Sequence, residues 1–74
     1  MKTRDEVCEF FAYAHLPEHL QEVSQPFFKL ATLHVYDDLK PTAERTLALR
    51  KLWEAKNYAV YAAAQQHQKE KING

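Results

Sequence analysis

From Thr42 to Asn73 the chain contains neither proline nor glycine, and the single glycine of its 74 residues is Gly74. A breaker-free run of that length, rich in alanine, leucine, lysine and glutamate, has no local reason to leave the helical conformation. The rest of the chain shows almost none of the β-branched alternation that marks a strand, so the sequence reads as all-α. A chain of 74 residues makes one domain, residues 1–74, and at that size folding buries only about 60% of the surface that the unfolded chain exposes. Cys8 is the single cysteine, so no intrachain disulfide can add to a small core, and no zinc-finger spacing appears. Self-association is the remaining route to stability.

Three helices are predicted. Thr3 and Glu6 form a capping box that starts the first, residues 4–12, with Val7, Phe10 and Phe11 on one side. Tyr13 to Leu16 read as a turn, because residues ahead of Pro17 are pushed out of the helical region, and Pro17 suits the opening turn of the next helix. That second helix is predicted over residues 17–39, burying a stripe of Leu20, Val23, Phe27, Leu30, Ala31 and Leu33 or His34. Pro26 interrupts it. Either the helix kinks there, which is the reading adopted, or Ser24 caps a fresh helix beginning at Gln25. Lys40 and Pro41 end the pattern, and Thr42 caps a third helix, residues 42–69, with Glu44 placed against its positive end.

The expected architecture is a short N-terminal helix followed by a long antiparallel two-helix hairpin. On the third helix Leu49, Leu52, Ala55, Ala59 and Ala62 or Ala63 make one stripe, and Trp53, Lys56, Val60 and Ala64 an adjacent one. One partner helix cannot cover both, so the second stripe calls for another chain and predicts a homo-oligomer.

Net charge is zero at neutral pH, which argues against coating duplex nucleic acid by bulk electrostatics. The charges are unevenly placed: residues 1–41 hold four Lys/Arg against seven Asp/Glu, and residues 42–74 hold six against three. The halves can attract each other, or leave a local basic pocket for a small anion. A lone thiol, no signal-peptide pattern and no apolar run near 18 residues point to a cytoplasmic protein without a membrane span. No nucleophile, base and orienter are arranged for catalysis, so an enzyme is not predicted. His15 and His19, with Glu18 and Glu22, have the residue types of a zinc site. A helix starting at Pro17 leaves His15 outside it, and no metal or other cofactor is expected. His34 and His67 are isolated.

Some residues carry a second reading beside the structural one. Phe10, Phe11, Phe27 and Phe28 read as core or interface. Tyr13, in the turn, either packs across the mouth of the hairpin or offers its ring to a base, a stack worth about 1 to 3 kcal/mol. Lys29 is the only basic residue between Arg4 and Lys40; it is either solvated or a ligand contact. Arg45, Thr46, Arg50 and Lys51 crowd the start of the third helix. They are either a charged face, with Arg50 paired to Glu54, or an arginine fork, a hydroxyl and free helix N–H groups suited to phosphate. Arg45 is the first choice for such a site, then Thr46 and Arg50.

The run Glu44-Arg45-Thr46-Leu47-Ala48-Leu49, followed by Lys51-Leu52 and Glu54-Ala55, and the segment Phe11-Ala12-Tyr13-Ala14-His15-Leu16-Pro17 together carry a family likeness. They resemble the small phage proteins of the anti-CBASS protein 2 family, which sequester the cyclic oligonucleotide messengers of CBASS immunity. The likeness covers roughly residues 10–66. It implies a cytoplasmic sponge inside the infected bacterium, assembled as a homohexamer that is a trimer of dimers. Its ligands would be cyclic GMP-AMP-like dinucleotides and cyclic tri-adenylate-like trinucleotides. The family holds cyclic dinucleotides with an aromatic residue ahead of the second helix and a lysine along it, which Tyr13 and Lys29 match in type and order. Trp53, Lys56, Tyr58 and Tyr61 depart from the family pattern and could shift ligand choice or abolish it. The alternative is a helical interaction module that binds a protein through its alanine-rich face.

Overall fold

The computed structural model describes residues 3–73, with side chains through Gln68, and all regular structure in that span is helical. Helix α1 is Arg4–Phe10 and α2 is Glu18–Lys29, which runs directly into a π-helical segment, Leu30–Tyr36; α3 is Ala43–Asn73. At 1.5 Å per residue the 31-residue α3 extends about 46 Å. It sets the long axis of a molecule measuring 48 × 19 × 15 Å. α2 packs along α3, while the π segment contacts both α1 and α3.

The helix starts follow local chemistry. Thr3 Oγ1 accepts the Glu6 amide at 3.1 Å, which caps α1. Thr42 Oγ1 accepts the Arg45 amide at 3.1 Å and does the same for α3. Pro17 precedes α2 with extended backbone at ψ 151°, and its carbonyl accepts the amides of Leu20 and Gln21 at 2.9 and 3.0 Å. α1 stops at Phe10 and does not reach Ala12; Phe11 leaves helical geometry as its C-cap.

The second helix departs most from expectation. It is not one α-helix over residues 17–39 and does not restart after Ser24: Pro26 stands inside α2, and the change comes at Leu30. Thr32 supplies a physical reason. Its hydroxyl donates to the Phe28 carbonyl at 2.7 Å, the acceptor that an α-helix would reserve for the Thr32 amide. The ladder then slips one residue, and the Asp37 amide closes on the Thr32 carbonyl at 3.0 Å in an i to i−5 bond. The slip changes which side chains face inward. Ala31 and Thr32 are buried and Val35 and Tyr36 pack on the core, while Leu30, expected inside, is 41% exposed, and Leu33 and His34, of which one was expected inside, are both exposed.

The core is small. Val7, Phe11, Ala31 and Leu49 are fully buried, with Phe27, Phe28, Val35, Tyr36, Leu52 and Trp53 packed around them. Half of the fully buried set comes from α1 and the residue that ends it. At about 1.5 to 3 kcal/mol for burying one large apolar side chain, α1 is part of the fold, not an appendage. On α3 the inward stripe runs Leu49, Leu52, Trp53, Lys56, Ala59, Val60, Ala63 and Ala64; of the alternatives Ala62 and Ala63 it is Ala63 that faces inward, and Ala55, expected on the stripe, is exposed.

Candidate functional site

Tyr13 is held in a constructed turn. The Leu16 amide closes on the Tyr13 carbonyl at 3.0 Å. From α2, Gln21 Nε2 donates to the Leu16 carbonyl at 2.8 Å and reaches the Ala14 carbonyl at 3.4 Å. The half-buried Tyr13 ring meets Phe28 edge to face, with centroids 5.4 Å apart and planes at 77°. Such a pair contributes about 0.5 to 1.5 kcal/mol beyond area burial. Lys29 follows Phe28 and is exposed. It lines an open groove of about 360 Å³ with Glu22, Gln25 and Pro26. The fold thus brings the Tyr13 turn to the stretch of α2 that carries Lys29.

The other three candidates lie at the start of α3 and are not equivalent. Arg45 is committed to the corner between the π segment and α3. Its Nη1 donates to the carbonyls of Tyr36 and Leu39 at 3.0 and 3.1 Å, and its guanidinium carbon lies 4.2 Å above the centre of the Tyr36 ring. Carbonyls at a helix C-terminus have no donor of their own, and Arg45 supplies one. Thr46 is half-buried, whereas Arg50 is exposed. The ion pair on this face is Lys51 to Glu54 at 3.9 Å, in place of the Arg50 to Glu54 pairing.

Two polar contacts fix α1, and neither was anticipated. Arg4 and Asp37 form a two-pronged ion pair, Nε to Oδ1 at 3.0 Å and Nη2 to Oδ2 at 3.1 Å. The guanidinium holds the Asp37 carboxyl below the ordinary carboxylate range. At the other end of α1, Lys56 is buried and its Nζ donates to the Phe10 carbonyl at 3.0 Å. Burial lowers the Lys56 ammonium from the ordinary lysine value. Phe10 also lays its ring edge to face on Trp53, 5.4 Å away at 85°. Lys56 stands in phase with Leu49, Leu52 and Trp53, and that spacing was the available signal for its burial.

The outer face of α3 carries Leu47, Tyr58 and Tyr61, which are 55%, 77% and 64% exposed. The two tyrosines line an open groove of about 450 Å³ with Glu54 and Asn57. His15 is exposed in the turn, and the His19 ring stacks on His67 at 4.0 Å. Among the described residues no three His, Cys, Asp or Glu side chains are placed to hold a metal ion, and no helix is long and apolar enough to cross a membrane. No protein-family model, curated protein or solved structure matches the chain.

Chemically, Lys29 offers an ammonium to the groove it lines with Glu22, Gln25 and Pro26, and Tyr13 offers the part of its ring that Phe28 leaves uncovered. The start of α3 adds Arg50 as an exposed cation.

Proposed function

We propose that this protein binds and sequesters cyclic oligonucleotide messengers, cyclic GMP-AMP-like dinucleotides first and cyclic tri-adenylate-like trinucleotides second, and so blocks CBASS-type antiphage signalling in the host bacterial cytoplasm. The observation that carries the reading is the Tyr13 turn, which Gln21 anchors and Phe28 backs one residue from the exposed Lys29. A ring held in this way loses little freedom when a base stacks on it. Lys29 would take a phosphate as a point charge, and Arg50 and Thr46 would serve a second anion. Arg45 would act by holding the corner on which they stand.

The mechanism breaks no bond. Tight binding lowers the free messenger, and the number of sites sets how much is removed. A cyclic dinucleotide has approximate twofold symmetry, so two copies of the chain would supply Tyr13 and Lys29 twice. Assembly is part of the proposal, as a hairpin whose outer faces are covered by other copies, up to a homohexamer. Phe10, Leu30, Leu33, Leu39, Leu47, Tyr58 and Tyr61 are each more than 40% exposed, a large apolar load for a chain of 74 residues. The same exposed face of α3 supports the second reading, an adaptor that docks a different protein there without a small ligand.

Thermal unfolding with and without ligand separates the readings. A ligand at a hundred times its Kd adds about 2.7 kcal/mol of stability. A cyclic dinucleotide should therefore raise the melting temperature by several degrees where the linear dinucleotide does not. Unchanged melting across cyclic di- and trinucleotides would reject the sponge and favour the adaptor.

A further inference from the structure

The His19 and His67 rings lie face to face, centroids 4.0 Å apart and planes at 21°, and they join the first turn of α2 to α3 forty-eight residues later in the chain. Both side chains are exposed, so protons reach them freely. We propose that this stack is a pH-operated latch: it closes the α2–α3 contact when at most one ring carries a proton and opens it when both do.

Two neutral imidazoles stack favourably, and one imidazolium over a neutral ring is still attracted to its face. Two imidazoliums at this separation repel. Imidazole is the side chain whose charge ordinarily changes between pH 5 and 8, which makes the stack the place where acid can act on this contact. The neighbouring charges bias the outcome. On the α2 side the titratable groups within a turn of His19 are His15, Glu18 and Glu22. Glu22, three residues on, lies where it can receive a protonated His19 that leaves the stack. On α3 the described side chains from Asn57 through Gln68 include no Lys, Arg, Asp or Glu, and Lys69, Glu70 and Lys71 follow in the sequence.

The contact is placed to matter locally. Past Lys56, α3 has contributed its large core residues, and what remains on its inward side is Ala59, Val60, Ala63 and Ala64. His19 also lies two residues before Gln21, which pins the Tyr13 turn. The inference stands whether or not a nucleotide binds there.

The test is amide hydrogen exchange of residues 60–68 from pH 7.5 to 5.0, corrected for intrinsic rates, in the full chain and in His19→Gln, His67→Gln and a His15→Gln/His34→Gln control. Protection of this segment in the unaltered chain and in the control should fall about tenfold or more between the two ends of the range, and in each latch variant it should stay flat. Constant protection in the unaltered chain, or an equal fall in His67→Gln, overturns the latch. Proton NMR of the ring resonances gives a second readout independent of exchange. His67 should take up its proton at higher pH in His19→Gln than in the unaltered chain, and an unchanged titration would count against the latch.

Discussion

Lys56 Nζ lies 3.0 Å from the Phe10 carbonyl, so a buried ammonium on α3 closes the C-terminal end of α1. The contact joins residues forty-six apart and sits beside the Phe10–Trp53 ring pair. It makes the docking of α1 depend on a residue whose type alone would assign it to the surface. Lys56→Ala removes both the donor and the packed stem, and should cost about 1 to 3 kcal/mol in urea unfolding. The pH dependence has a definite sign. Because burial lowers the folded-state Lys56 value, the unfolded chain binds more protons between that value and the ordinary one near 10.4. Stability therefore rises with pH across that window. Relative to Lys56→Met, the unaltered chain should gain stability as pH rises toward the ordinary lysine value near 10.4, and parallel curves would contradict the assignment.

The Arg4–Asp37 pair predicts the opposite limb. The Asp37 carboxyl is held below its ordinary range, first by its hydrogen bond from Arg4 and then by the guanidinium charge. The stabilisation is therefore present above the unfolded-state value near 3.9 and is lost as pH falls through the lower folded-state value. In acid titrations followed by circular dichroism, the advantage of the unaltered chain over Asp37→Asn should shrink below about pH 4. The pair is exposed, so raising salt should shrink the same advantage at neutral pH.

The corner at Arg45 is the third test. Arg45→Ala strips donors from the Tyr36 and Leu39 carbonyls and removes the stack on Tyr36. A loss of about 2 kcal/mol corresponds to a fall in melting temperature of roughly 8 to 16 °C for a domain of this size. Arg45→Lys should recover part of the hydrogen bonding and little of the stack. Arg50→Ala, at an exposed position, should leave melting within about 0.5 kcal/mol of the unaltered chain.

Much of the fold is legible where the chain governs itself locally. Thr3 and Thr42 cap the helices assigned to them, the turn before Pro17 is where proline geometry requires it, and the breaker-free run is one helix. The π segment was hidden, since it comes from a hydroxyl at Thr32 competing for a carbonyl four residues back, and no periodicity encodes that choice. Arg45 in a basic cluster suited to phosphate could not announce that its target was a pair of carbonyls across a corner. Lys56 and Asp37 were missed for the same reason, because each acts on α1, far away in sequence. The Tyr13 turn was legible as a turn, but its Gln21 anchor and Phe28 backing needed the fold.

Ser24 offers a test in which a deletion should help. It is fully buried in α2, and its Oγ has no hydrogen-bond partner among the described residues. A buried hydroxyl in that state loses its hydration without compensation, and alanine is the better helix former. Ser24→Ala should stabilise the chain by about 1 kcal/mol in thermal or urea unfolding, and a loss of similar size would show that the hydroxyl is in use.

The binding account centres on Tyr13 and Lys29, and isothermal titration with cyclic di- and trinucleotides tests it most directly when the unaltered chain is run beside Lys29→Ala and Tyr13→Ala. Lys29 is exposed, so its removal should leave melting unchanged while weakening dinucleotide affinity about tenfold or more, or about 1.4 kcal/mol. Loss of the Tyr13 ring should cost about 1 to 3 kcal/mol. The account predicts saturable binding at one cyclic dinucleotide per two chains, reduced in both variants. Absence of heat across the panel, or binding that neither substitution weakens, would contradict it.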